Sequence, residues 1–244
     1  AVIKDIRLGI GLRDGVPELM WLPVEPGGEI MIEEQRFTVQ PFFIAKYLVT
    51  YTQFDAFLKA KDGFQDDLWW NGMPVDYKHQ SMEHQRTKIA NLPRDTVSWY
   101  QSVAFARWLN KRLYRLELIH SPGMVLRVGE NVEVRLPTEW EWQWAAQGGM
   151  EKRTYPWGNW QLGYTNTSEA GLGRAIAVGM YPHAASKCGA LDMAGNMYEW
   201  CLNDYASPEY LSISNNESKV LRGGSFDLNQ NLATSSYRYF GYPY

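Results

Sequence analysis

The chain has 244 residues, 45% of them hydrophobic and 21% charged, and a formal net charge of −3. That is the balance of a folded domain of a size one hydrophobic core can serve, and without a basic excess or a Lys/Arg stripe it argues against nucleic acid as a partner. No apolar run approaches the roughly 20 residues that cross a bilayer, and the start Ala1-Val2-Ile3-Lys4-Asp5-Ile6-Arg7 lacks the apolar centre of a signal peptide; the expectation is one domain over residues 1–244, with no membrane span and cytoplasmic as given.

In chain order, the first predicted elements are short strands: Glu18-Leu19-Met20-Trp21-Leu22, a turn at Gly27-Gly28, then Ile30-Met31-Ile32 and Phe37-Thr38-Val39 before Pro41. Residues 42–49 continue as a β-rich run. Thr50 then caps a helix with Phe54, Phe57 and Leu58 on its inner face. Residues 61–95 show no period and carry Gly63, Trp69, Trp70, Gly72, Pro74, His79 and His84, which predicts a long irregular excursion of the kind that often has a function. The clearest helix starts at Ser98, where Ser98 and Gln101 form a capping box; it lines up Tyr100, Val103, Ala104 and Trp108 and ends near Arg112. Residues 132–136 alternate as a half-buried strand that Pro137 stops. A second capping box, Thr138 with Glu141, opens a helix that places Trp140 and Trp144 one turn apart and ends at Gly148-Gly149. Beyond Tyr155 the pattern dissolves, with strand-like pieces at 175–178, 198–201 and 219–222. No repeat, charge block or linker divides the chain.

Cys188 and Cys201 are too few for a secreted disulfide scaffold and suit a reducing compartment, with one bridge between them left open. The histidines, His79, His84, His120 and His183, show no metal-ligand spacing, and His79 and His84 read as solvated loop residues. The outlying numbers are 11 Trp and 15 Tyr, more than a core of Leu, Ile and Val needs, which indicates a loop-rich core or an aromatic binding surface. The aromatics concentrate at the end, in Ser235-Ser236-Tyr237-Arg238-Tyr239-Phe240-Gly241-Tyr242-Pro243-Tyr244. A purely structural strand puts apolar side chains on one face, so aromatics on both imply a face for a ligand. Asp192-x-x-Gly195-x-Met197-x-Glu199 offers two carboxylates with backbone carbonyls between them in a glycine-bent loop, a mixture that suits Ca²⁺. The competing reading is that Asp192 caps a turn and Glu199 pairs with a cation such as Arg222.

Six segments carry a family resemblance: Pro41-Phe42-Phe43-Ile44-Ala45-Lys46-Tyr47-Leu48-Val49-Thr50, Val97-Ser98-Trp99-Tyr100-Gln101-Ser102-Val103-Ala104, Arg135-Leu136-Pro137-Thr138-Glu139-Trp140-Glu141-Trp142, Tyr155-Pro156-Trp157-Gly158, Gly189-Ala190-Leu191-Asp192-Met193-Ala194-Gly195-Asn196-Met197-Tyr198-Glu199-Trp200-Cys201 and Val220-Leu221-Arg222-Gly223-Gly224-Ser225-Phe226. In order and wording the chain resembles the formylglycine-generating-enzyme (sulfatase-modifying factor) family over about residues 16–244. The resemblance implies an α+β, C-type lectin-like fold, with two main helices around short twisted antiparallel strands and much irregular loop. It also implies a structural Ca²⁺ on the side chains of Asp192 and Glu199 and the carbonyls of Gly195 and Met197. A second calcium site is implied near Asn166 and Leu172, weakened because Ala170 stands where an acid is expected. Active members carry two cysteines just after the Arg-Gly-Gly-Ser motif, which bind copper and oxidise a substrate cysteine. Here that segment reads Phe226-Asp227-Leu228-Asn229-Gln230-Asn231-Leu232-Ala233, and neither Leu nor Asn replaces a thiolate as nucleophile or soft ligand. No copper and no catalysis are expected, and Cys188 and Cys201 are read as buried structural residues. The related sulfoxide synthases hold iron through histidines of an additional helical domain, which has no counterpart in these residues.

Within this fold the chain is most similar to the variable proteins of diversity-generating retroelements, bacterial proteins whose C-terminal part is diversified after such a motif, template Asn codons becoming Tyr, Phe, Ser, Gly and Asp among others. That resemblance implies a non-catalytic binding protein with Asp227, Asn229, Ser236, Tyr237, Tyr239, Phe240, Gly241, Tyr242 and Tyr244 as contacts for a protein or other macromolecular ligand, tyrosine supplying rigid amphipathic area at low entropy cost. Trp69 and Trp70 are candidates for its border. The alternatives are an oxidoreductase acting on a peptide cysteine, and a regulatory module fused to a kinase, protease or nucleotidase domain.

Overall fold

Short alternating segments separated by left-handed turn residues make the first fifth of the chain a series of two-stranded ladders. The computed structural model describes residues 5–120 and 124–244; Ala1, Val2, Ile3 and Lys4 of the N-terminal reading, and the side chain of His120, lie outside the described residues. β1 (Leu12–Arg13) and β2 (Val16–Pro17) pair across Asp14-Gly15, both at positive φ. β3 (Trp21–Val24), β4 (Gly28–Ile32), β5 (Gln35–Val39) and β6 (Phe42–Ala45) follow; β4 pairs with β5, and β3 pairs with β6, Trp21 opposite Ala45 and Val24 opposite Phe42. Gly27 lies in the connection from β3 to β4 where a turn is expected, while Gly28 is already the first residue of β4. Glu33-Glu34, with Glu33 at φ 51, turn β4 into β5. Glycine is needed at 28 for another reason: a Cβ there would lie 2.5 Å from the ring of Trp144.

α1 (Tyr51–Lys59) and α2 (Trp99–Arg112) start on capping boxes, Thr50 with Gln53 and Ser98 with Gln101. Each box satisfies two backbone N–H groups that the first turn leaves open, the cap itself being worth about 1 kcal/mol. β7 (Glu117–His120) and β8 (Met124–Arg127) form a hairpin that the sequence pattern does not announce. The strand expected at 132–136 reduces to a single bridge between Val132 and Val128, because the amide of Val134 donates to the Asn110 side chain, at 2.8 Å, and not to a neighbouring strand. α3 (Glu139–Gln147) has its own box, Thr138 with Glu141, and stops at Gly148, φ 72. The strand expected at 175–178 is also absent: both backbone groups of Ile176 bond the Asn196 side chain, and the Val178 carbonyl accepts from Arg7. β9 (Glu199–Asp204), β10 (Lys219–Arg222) and β11 (Tyr239–Gly241) form an antiparallel sheet in the order β11-β10-β9, so β11 is an edge.

Two apolar clusters make the core. One gathers Phe54 and Phe57 of α1 and Trp99, Tyr100, Phe105 and Trp108 of α2 with Phe64, Trp69, Trp70 and Met73 from the irregular excursion. The other packs Trp142, Trp144, Ala145 and Ala146 of α3 on Val24, Ile30, Ile32, Val39, Cys201 and Val220. Trp69 and Trp70 are 6% and 0% exposed and donate to the carbonyls of Asp62 and Phe64. They belong to the core and not to the border of the tyrosine surface, because the excursion supplies an inner wall of the α1–α2 cluster. His84 is exposed as expected, whereas His79 is half-buried: its ring sits 5.0 Å from that of Trp70 and its nitrogens face Phe64 O and Asp67. The loop between β9 and β10 is tied down by the buried ammonium of Lys219, which bonds Asp204, Ser212 O and Asn215.

Candidate functional site

The C-terminal segment returns along the sheet as β11, and an edge strand leaves the rim of both its faces open. Tyr239 shares a face with Leu221 and Trp200, and Phe240 shares the other with Val220. Both rings stay exposed, at 43% and 40%, as do Tyr242 at 58% and Tyr244 at 54%. They form one ladder. Tyr198 stacks on Tyr239 at 5.3 Å, Tyr239 on Phe240 at 5.4 Å, Phe240 meets Tyr242 edge-on at 6.4 Å and Tyr242 stacks on Tyr244 at 5.7 Å. Tyr244 continues onto Tyr77 at 5.0 Å, and Tyr77 onto Tyr100 at 5.3 Å. Pairs at such spacings add about 0.5–1.5 kcal/mol beyond their burial, so the rings are fixed before any ligand arrives.

The ladder is anchored at both ends. Pro243 is buried and its carbonyl accepts from the Tyr100 amide at 3.4 Å. Arg238 donates to both oxygens of Glu139, at 2.6 and 2.9 Å, and lies 4.7 Å over the ring of Tyr205, which itself packs on Phe240 at 5.2 Å. Glu139, 0% exposed, also pairs with the equally buried Arg222 at 3.0 Å. Burial, followed by the neighbouring Tyr237 and Tyr239, raises the pKa of the Tyr198 hydroxyl well above the usual tyrosine value, Asp227 adding to the shift.

Of the expected contacts, Asp227, Asn229, Ser236, Tyr239, Phe240, Tyr242 and Tyr244 are exposed and Tyr237 and Gly241 half-buried. Asp227 accepts from the Ser225 hydroxyl at 2.5 Å, and the Asn229 side chain caps the 3₁₀ turn Gln230–Leu232. Gly241 differs from the rest: a Cβ would lie 2.5 Å from the Trp200 ring, so it contributes backbone. Tyr77, Tyr100, Tyr198 and Tyr205 complete the ladder, and no local pattern marks them. They lie on an irregular loop, a helix and the two ends of β9, and only the fold brings them to β11.

The second cluster is the loop before β9. Asp192 and Asn196 both sit at φ 63 and Gly195 at φ 73, where a Cβ would lie 2.5 Å from Asn166 O. The Gly195 amide donates to Gly223 O at 2.7 Å and that of Phe226 to Asn196 O at 3.1 Å, pinning the loop to the Arg-Gly-Gly-Ser turn. Burial pushes the Asp192 carboxyl up to about 6 against the Gly179 amide it accepts from at 2.6 Å and the charge of Arg7. Burial pushes Glu199 up to about 8; the Trp142 indole draws it back, and Asp192 raises it further. No hydrogen bond of ordinary geometry forms between that indole and Glu199, whose Oε1 has no partner. Nor does Arg222 serve Glu199, since it goes to Glu139 and to Gln143 at 2.5 Å. Two half-buried acids within electrostatic reach, one with a buried and unmatched oxygen, fit a hard cation. Among the described residues no three His, Cys, Asp or Glu side chains cluster as a metal site, so such a cation would need backbone carbonyls as well.

Copper chemistry does not fit residues 226–233, which hold no sulfur. Both thiols elsewhere are free. Cys201 is wholly buried in β9, where desolvation and then Glu139 hold its thiol protonated. Cys188 is only half-buried, contrary to the expectation for both, with its sulfur 3.2 Å from the Ser186 hydroxyl.

Fold and site together define an α+β domain of the C-type lectin-like type with an aromatic edge strand. The chain belongs to the sulfatase-modifying factor enzyme 1-like domain family, whose profile matches residues 23–243. It is similar to the formylglycine-generating enzyme of Thermomonospora curvata, 26% identical with 77% of this chain and 72% of that protein covered. It is also similar to hercynine oxygenase of Mycolicibacterium thermoresistibile, 25% identical over 84% of this chain and 48% of that protein. Among solved structures, Treponema denticola variable protein 1 shares the fold, with a TM-score of 0.60 and 20% identity over 93% of this chain and 90% of that one. No helix among the described residues is long and apolar enough to cross a membrane.

Proposed function

We propose that this chain is a non-catalytic binding protein of the variable-protein kind, presenting the aromatic edge from Asp227 to Tyr244 to a protein or other macromolecular ligand. The observation that carries this reading is the stacked and exposed ladder of rings on an edge strand, held from beneath by Arg238 and Pro243. Rigid tyrosines give contact area without a large ordering cost, and the fold likeness to a variable protein supports the same conclusion. The test is to sequence the coding segment for residues 227–244 across a population of the source cells, together with its genomic surroundings. Substitutions confined to the exposed ladder positions, with a near-duplicate template and a reverse transcriptase gene nearby, are the expected finding; an invariant segment without a template defeats the reading.

We also propose that Asp192 and Glu199, with the carbonyls of Gly195 and Met197, hold a structural Ca²⁺. The cation would neutralise two half-buried carboxylates and fix a loop with little regular ladder bonding; calorimetric titration with Ca²⁺ tests it, and Glu199→Gln is expected to abolish the heat of binding.

The alternative, an oxidoreductase acting on a peptide cysteine, draws support from the enzymes among the relatives. It requires a sulfur pair that residues 226–233 lack. Oxygen uptake by copper-treated protein with a cysteine peptide distinguishes the two readings, and none is expected.

A further inference from the structure

Residues 42–49 are a continuous apolar run broken only by Lys46, yet Phe42, Phe43, Ile44 and Ala45 of β6 are all half-buried. The register with β3 explains why. Leu22 with Ile44 and Val24 with Phe42 share the face that packs on the α3 cluster. Trp21 with Ala45 and Pro23 with Phe43 share the opposite face; of these Trp21, Phe43 and Ala45 line a cavity of about 710 Å³, which Phe42 and Ile44 also border. Phe105 and Ala106 of α2 line that cavity too, as do Leu118 and Leu126, a directly opposed pair on the β7–β8 hairpin. Protein interiors pack densely and leave few voids larger than a water molecule, whereas small-molecule sites run to about 300–1,000 Å³. Eight separate elements, with Phe54 of α1, Trp200 of β9 and Leu221 of β10 among the contributors, supply apolar side chains to this space without filling it.

The polar lining indicates the chemistry of the occupant. Arg94 is matched by Asp95 at 3.5 Å and Arg135 by Glu141 at 2.8 Å and Glu133 at 3.4 Å, while Glu199 Oε1 has no partner. No cation is left for an anionic ligand, and the surplus carboxylates disfavour one. Two buried donors in the wall have no acceptor, Trp21 Nε1 and Arg94 Nε. We infer that this cavity binds an uncharged, hydrocarbon-rich small molecule carrying one hydroxyl or carbonyl oxygen, at a site separate from the tyrosine ladder.

The experiment titrates the purified chain with the uncharged fluorescent probe N-phenyl-1-naphthylamine and displaces it with dodecan-1-ol or dodecanoate. Saturable binding at one site is expected, with dodecanol at least about tenfold more effective than the carboxylate, a difference of about 1.4 kcal/mol. Ala106→Leu and Ala45→Leu, which add side-chain volume to the cavity wall, are expected to weaken the probe at least about tenfold, whereas Tyr242→Ala on the outer face leaves it unchanged. Should Ala106→Leu fail to fold, Ala45→Leu on the half-buried strand decides. Trp21→Phe removes the N–H donor with little loss of apolar wall and is expected to weaken dodecanol more than the probe. No saturable binding, equal displacement by the carboxylate, or probe affinity indifferent to the folded leucine variants overturns the inference.

Discussion

Glu139→Gln is nearly isosteric and deletes one charge where two guanidinium groups meet. Arg222, fully buried, lies 3.0 Å from Glu139, and Arg238, whose side chain is 11% exposed, lies 2.6 Å from it. With a neutral amide at 139, Arg222 keeps Gln143 and the carbonyls of Ser235 and Tyr237 but faces the charge of Arg238 without an intervening anion. Arg238 then has Glu33 as its remaining carboxylate, and that side chain is 62% exposed, so the pair is screened. Removing one partner of a buried ion pair costs about 3–5 kcal/mol. In a chain of this size each kcal/mol moves Tm by roughly 2–4 °C, and the expected fall is therefore roughly 6–20 °C. Thermal and urea unfolding measure it, and hydrogen exchange should rise first over residues 237–244, which Arg238 anchors. A loss below about 1 kcal/mol, the range of exposed ion pairs, or unchanged exchange in that segment, refutes the claim that this network holds the ladder.

Tyr242→Ala with Tyr244→Ala removes three ring pairs and should cost about 1.5–4.5 kcal/mol of stability while leaving the chain folded and abolishing capture of whatever ligand the ladder selects; an unchanged Tm would show that stacking does not fix the rings. In chelator, the half-buried acids give a pH dependence of definite sign. Their folded pKa values lie above the unfolded ones, so the stability linked to their protonated forms is complete below about pH 4 and is lost as pH rises through about 6 for Asp192 and about 8 for Glu199. Saturating Ca²⁺ should restore Tm at about pH 8.5 and do little at about pH 5, and Asp192→Asn should flatten the chelator profile; equal Tm values at both pH values in chelator count against this. A thiol reagent such as dithionitrobenzoate should modify Cys188 in the folded protein and Cys201 only after unfolding, since burial keeps the latter protonated and closed to solvent. Two rapid equivalents would contradict the placement of β9.

All three helices were legible because their signals are local. A capping hydroxyl with Gln or Glu three residues on, followed by apolar residues at helical spacing, needs nothing from the rest of the chain, and Thr50, Ser98 and Thr138 open helices as expected. The exposed tyrosines were legible for a related reason: aromatics on both faces of a strand conflict with simple burial, and β11 resolves the conflict by standing at an edge. The strands expected at 132–136 and 175–178 failed because alternation marks a chain ready to pair and does not supply a partner. Asn110 and Asn196 bonded those backbones with side chains instead.

Local chemistry was thus enough for the helix starts, the family motifs, the lack of sulfur after Ser225 and the aromatic character of the last ten residues. Those properties depend on residues near one another in the chain. Which tyrosines join the ladder, which glutamate receives Arg222, why Trp69 and Trp70 lie inside, and how an apolar strand comes to face a cavity were decided by contacts between distant segments. Such contacts are set by packing and by the pairing of buried polar groups, and a choice among several available partners, such as Glu139 over Glu199 for Arg222, has an energy only once the surrounding chain has excluded water from all of them.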